Sequence, residues 1–106
     1  MNNNQLLGII GLAMKAGKVC FGADGVEDEI KRKKVKLLII ATDASERTKN
    51  KFIQLAQKEK IPVITYEIID NLSKAIGKSN KAIVGIKDMN FAKSIQKKYD
   101  GGDIIG

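Results

Sequence analysis

Apolar positions along this chain follow two alternating rhythms. Leu6, Leu7, Ile9, Ile10, Ala13 and Met14 recur three and four residues apart, which predicts an amphipathic helix over about 4–16. Lys15-Ala16-Gly17 reads as its stop, with Gly17 in the left-handed position. Gly8 and Gly11 weaken that helix and allow a close neighbour. Val19-Cys20-Phe21 then reads as a short strand, broken by Gly22. The stretch Asp24 to Lys33 predicts a second helix, with Val26 and Ile30 facing inward. Its acids come first and its bases last, the order that a helix dipole favours.

The run Leu37-Leu38-Ile39-Ile40-Ala41 has no polar break. A run so short and so rich in isoleucine predicts a strand covered on both faces, as in a parallel or mixed sheet between helices. It opens into Thr42-Asp43-Ala44-Ser45, a turn into the next helix. In open α/β sheets, binding groups gather beyond the carboxyl ends of such strands, so this loop is expected near the working face. A third helix follows over about 45–60, with Thr48, Phe52, Leu55 and Ala56 in one stripe. Either Ser45, or Asp43 paired with Glu46, can start it.

Ile61 to Thr65 predicts a strand, with Pro62 at its tolerated first positions. Leu72, Ala75 and Ile76 predict a fourth helix over about 69–76, stopped by Gly77. A polar loop, Lys78-Ser79-Asn80-Lys81, leads to a last strand over 82–86. Asp88 caps a fifth helix carrying Phe91, Ala92, Ile95 and Tyr99. Gly101 to Gly106 reads as a frayed tail. Strands and helices alternate throughout. The fold class is therefore α/β: one three-layer α-β-α sandwich over 1–106, with a four-stranded mixed sheet and about five helices.

Composition changes this picture mainly through charge. The net charge is +7 at neutral pH, which favours polyanionic partners such as nucleic acid. No apolar run approaches the roughly 20 residues needed to span a bilayer, and the opening residues lack the pattern of a signal peptide. One cysteine excludes an internal disulfide and suits a reducing cytoplasm. With no histidine, nucleophile–histidine catalysis is excluded, and one cysteine with carboxylates makes no metal cage. Cys20, between Val19 and Phe21, reads as an inert buried thiol. Gly77-Lys78-Ser79 matches only the end of a phosphate-binding loop: Leu72 stands where the first glycine belongs, and a helix precedes it where a strand is required. Lys31 to Lys36 carries five positive charges in six residues. Such a run serves equally as a dipole-matched helix end or as a set of phosphate contacts.

The segment Gly22–Ser45 resembles the ribosomal L-seven-Ae family of kink-turn RNA-binding proteins. Ile61-Pro62-Val63, Leu72 and Ala75-Ile76-Gly77 stand at matching places, so the likeness covers about residues 5–98. It is nearest the small bacterial YlxQ-type branch, in the Asp43–Thr48 turn and the Phe91–Lys93 ending. The resemblance implies a non-catalytic protein without cofactor or metal, monomeric, that meets a bent or internally looped RNA, ribosomal or otherwise. In that family a motif G-x-N-E-x-x-K opens the second helix and reads sheared G·A pairs. Here Gly22 is in place, Asp24 replaces Asn, Gly25 replaces Glu and Asp28 replaces Lys. The resemblance implies RNA contacts at Gly22, Asp24 and Arg32, with Lys78, Ser79, Asn80 and Lys81 as the loop covering unpaired bases. The departures at Gly25 and Asp28 leave a second reading: a protein-interaction or structural module that keeps the fold without specific kink-turn binding.

Overall fold

The computed structural model describes residues 3–101, with side chains from residue 5 to residue 100. Helices α1 (Asn3–Lys15), α2 (Ala23–Lys31), α3 (Glu46–Glu59), α4 (Ile69–Ala75) and α5 (Met89–Gly101) alternate with strands β1 (Val19–Phe21), β2 (Leu37–Ile40), β3 (Val63–Thr65) and β4 (Ile83–Ile86). Strand order in the sheet is β1-β4-β2-β3. β4 runs antiparallel to both its neighbours, and β2 and β3 are parallel. The sheet is mixed and four-stranded, as the sequence predicts.

Each strand sends alternate residues to opposite faces. Leu37 and Ile39 of β2 join Leu6 and Ile10 of α1, Leu72 of α4 and Ile95 of α5 in one core. Leu38 and Ile40 join Val26 and Ile30 of α2 and Phe52 of α3 in the other. All four β2 residues are fully buried, which explains the unbroken apolar run. Gly11 lets α1 lie against α4, since a Cβ there would come within 3.1 Å of the Ala75 carbonyl oxygen.

Helix starts were only half legible. Ser45 caps α3, accepting from the Thr48 N–H at 3.2 Å. Asp43 turns elsewhere and accepts from the Ile69 N–H at 2.7 Å, capping α4 across the fold. Asp88 caps α5 through the Phe91 N–H at 3.0 Å. The α5 helix continues through Gly101, and the rest of the expected tail, 102–106, lies outside the described residues.

Four helices close with the same pair of reversed hydrogen bonds. In α1 these run from Gly17 N to Met14 O and from Lys18 N to Ala13 O. The left-handed residue is glycine in α1 and α4 (Gly17 φ 74°, Gly77 φ 71°), but lysine in α2 and α3 (Lys33 φ 63°, Lys60 φ 59°). A side chain in that region costs about 1–2 kcal/mol. Because Lys33 takes this seat, α2 ends at Lys31 rather than at Lys33.

Candidate nucleic-acid interface

The register of the sheet brings distant segments to one pole. Phe21 at the end of β1 pairs with Val84 near the start of β4. Gly22 N donates to Ile83 O at 2.9 Å, and Ala41 N donates to Ala82 O at 2.9 Å. The start of α2, the loop before β4 and the loop after β2 therefore share this end of the molecule. The Thr42–Ser45 loop is occupied there with bracing: the Thr42 N–H and hydroxyl both donate to Glu67 O.

Gly22 is the N-cap of α2, at φ 83° and ψ 154°, with no side chain capping the helix. That backbone conformation is open to glycine and essentially closed to other residues. Space is not the constraint, because a Cβ there would meet nothing nearer than Lys81 Cδ at 3.9 Å. The first helical bond runs from Val26 N to Gly22 O. The N–H groups of Ala23, Asp24 and Gly25, all exposed residues, have no acceptor among the described residues. Three free donors at the positive end of a helix dipole form an anion seat. Asp24 lies within the first turn and does not cap the helix. Gly25 faces open space, with nothing within 4 Å of a Cβ.

Two cations flank this seat. Lys78 Nζ stands 5.0 Å and Lys81 Nζ 5.7 Å from the centre of the Phe21 ring. The Lys81 ammonium is also 4.0 Å from the place of a Gly22 Cβ. A π-face under two ammoniums holds them where charge repulsion would spread them apart. Ser79 and Asn80 are exposed in the same loop, with Asn80 at φ 55°. The loop is tied at its base by Ser73, which is fully buried. Its hydroxyl accepts from the Lys81 N–H at 2.7 Å and faces Lys81 O at 3.2 Å. Ser73→Ala is expected to cost about 1 kcal/mol, lowering the melting temperature by roughly 4–8 °C, as calorimetry would measure.

Arg32 does not join this group. It lies at the C-terminal end of the nine-residue α2, roughly 14 Å along the helix from Gly22. There its Nε pairs with Asp28 Oδ2 at 3.0 Å, one turn back on the same helix. Gly22, Asp24, Lys78, Ser79, Asn80 and Lys81 share one pole; Arg32 belongs to the other. Phe21 had no place in the sequence-based site. Its only signal was an aromatic directly before the glycine, which also fits a core residue.

Burial first, and the Glu29 charge second, push the Cys20 thiol up to about 11, so it stays protonated at neutral pH. No set of metal-ligating side chains comes together among the described residues. No helix among them is long and apolar enough to cross a membrane.

Comparison with known proteins places these features in a group. The profile of the ribosomal protein L7Ae/L30e/S12e/Gadd45 family matches residues 4–96. The RNA-binding protein YlxQ of Enterococcus faecium is 33% identical over 94% of this chain and 96% of its own length. Its namesake from Bacillus subtilis (strain 168) is 32% identical over 94% of this chain and its whole length. Among solved structures, a Bacillus halodurans protein of unknown function superposes with a TM-score of 0.86 at 29% identity, covering 90% of this chain and 96% of its own. The Giardia lamblia 15.5kD RNA binding protein has the same fold, with a TM-score of 0.77 at 18% identity, over 92% of this chain and 88% of its own.

Proposed function

This chain belongs to the ribosomal protein L7Ae/L30e/S12e/Gadd45 family, and on that premise we propose that it is a non-catalytic RNA-binding protein. Its target is a bent, kink-turn-like or internally looped RNA, ribosomal or otherwise structured, met in the cytoplasm by a single copy of the chain. One observation carries the reading: an uncapped helix start behind a positive-φ glycine, with two lysines gathered beside it on an aromatic ring. Free N–H groups suit phosphate or base-edge acceptors at a distorted site. The Lys78 and Lys81 ammoniums neutralise the backbone that bends around them.

A gel shift at matched salt tests this, with a kink-turn oligonucleotide against a straight duplex of the same length. Preference for the bent RNA is expected; equal binding would leave only the general affinity of a cationic protein. The +7 charge makes a further prediction. With about three phosphates neutralised, log K should fall with log salt at a slope near −2.5, roughly a thirtyfold loss between about 50 and 200 mM. A flat profile in a filter-binding titration would count against phosphate contact.

A second reading has one observation in its favour. Asp28 stands where the family motif has a lysine, and it ties up Arg32 in an ion pair. That arrangement fits a module that keeps the fold for protein contacts and has lost its specificity for the bend. The same gel shift separates the two.

A further inference from the structure

The pole opposite Gly22 carries a second cationic surface. A cleft of about 300 Å³ opens there between the ends of α2 and α3, lined by Lys33, Lys36, Lys60, Pro62, Met89 and Gln96 among others. Lys36 and Lys60 have no acidic partner among the described residues. Lys33 reaches Glu59 at 3.1 Å, with its side chain still 78% exposed. The charge continues along the sheet end. Lys36 N donates to Ile86 O, and Lys87 N donates to Lys18 O, so Lys36, Lys87 and Lys18 follow one another just beyond the ends of adjacent strands. The acids at this pole include Glu59, Glu29 (4.0 Å from Lys87), Asp28, which is paired with Arg32, and Asp88, which is engaged in capping α5.

Two of the cleft's lysines occupy left-handed backbone, Lys33 at φ 63° and Lys60 at φ 59°. Glycine fills the equivalent seats at the ends of α1 and α4, neither of which lines this cleft. Lysine is the costlier choice for the backbone at both positions, and both side chains serve one cleft. Local strain retained twice at one place points to a use for the side chains.

We propose that this cleft is a second RNA site, taking a single-stranded segment that extends from the RNA held at the Gly22 pole. The phosphates lie on Lys33, Lys36 and Lys60, and the track continues toward Lys87 and Lys18. Pro62 and the half-exposed Met89 offer an apolar wall for a base, and Gln96 an amide for its edge. A row of cations crossing three strands matches an extended polyanion better than one acidic side chain of a partner protein. The proposal rests on the RNA-binding reading above and adds a second contact to it.

The test compares a kink-turn RNA with the same RNA bearing an oligouridine tail at either end. A tail of about twelve nucleotides, at about 3.4 Å each, outruns even the 36 Å longest dimension of the protein. Wild type should bind one of the tailed RNAs about tenfold more tightly, with a salt slope steeper by about two. The K33G/K60G variant should lose that increment, keep its affinity for the tail-less RNA, and melt at the same temperature or higher, because glycine suits both backbones. A tail that adds nothing in wild type, or an increment that survives in the variant, overturns the second site alone and leaves an acidic protein partner as the occupant to seek. Failure of wild type to bind the tail-less RNA overturns both readings.

Discussion

Replacing Asp24, Gly25 and Asp28 together by Asn, Glu and Lys is expected to raise affinity for a kink-turn RNA by roughly ten- to a hundredfold. These substitutions restore the motif of the family to which the chain belongs. The structure leaves room for each. Gly25 faces open space, and the Asp28 side chain is 60% exposed. The fold should hardly notice. A glutamate in the first turn gains up to about 1 kcal/mol over glycine and suits the dipole. Loss of the Asp28–Arg32 pair costs about 0.3–0.5 kcal/mol, and a like-charge pair one turn apart costs a similar amount. Asp28→Lys alone should help bent and straight RNA equally, because it changes only charge. The full set should help the bent RNA more, because an amide and a carboxylate can read base edges. Isothermal titration with both RNAs measures the difference. A triple variant that is folded by circular dichroism but binds no better than wild type would show that helix α2 is not the reading head.

Reversing charge at the flanking loop should have the opposite effect of similar size. Lys78→Glu with Lys81→Glu replaces two cations by two anions beside the free N–H groups of α2. A loss of roughly a hundredfold is expected, with the salt slope nearly flattened. Lys78 is exposed and Lys81 half-buried, and neither forms an ion pair among the described residues. The structural cost is the pair of contacts with Phe21, about 0.5–1 kcal/mol each. Phe21→Leu is the companion variant. It keeps both charges but removes the ring that gathers them, so a severalfold loss is expected with the salt slope unchanged. Fluorescence anisotropy across a salt series reads both. A double reversal that weakens binding less than about threefold would place the phosphates elsewhere.

The elements and many of their ends were legible in the residues. The run Leu37–Ala41 predicts a strand buried on both faces; Leu37–Ile40 form it, and the run packs into both cores. Gly17, Gly77 and Asp88 terminate or start helices as their types suggest. Even the remoteness of Arg32 from Gly22 follows from the length of one helix at about 1.5 Å per residue. The partners of Asp43 could not be read in the same way. Ser45 and Asp43 were equivalent as local caps for α3, and the choice fell to Ser45 because the α4 N-terminus, 26 residues on, offered Asp43 its Ile69 N–H. Lys33 and Lys60 were equally hidden, since nothing local marks a lysine for a left-handed seat.

What the sequence determined by itself was the set of elements, their inward faces, the excess of positive charge and the glycine that opens α2. These depend on interactions within a few residues, and local spacing records them. Only the tertiary structure decided that β4 lies between β1 and β2, so that Phe21 pairs with Val84. That antiparallel pairing carries the loop before β4 to Gly22 across some sixty residues of chain. It sets Lys78 and Lys81 over the Phe21 ring, and sends Lys33, Lys36 and Lys60 to the other pole. Strand order is chosen by how two apolar faces are buried at once, and that is a property of the whole sheet rather than of any segment in it.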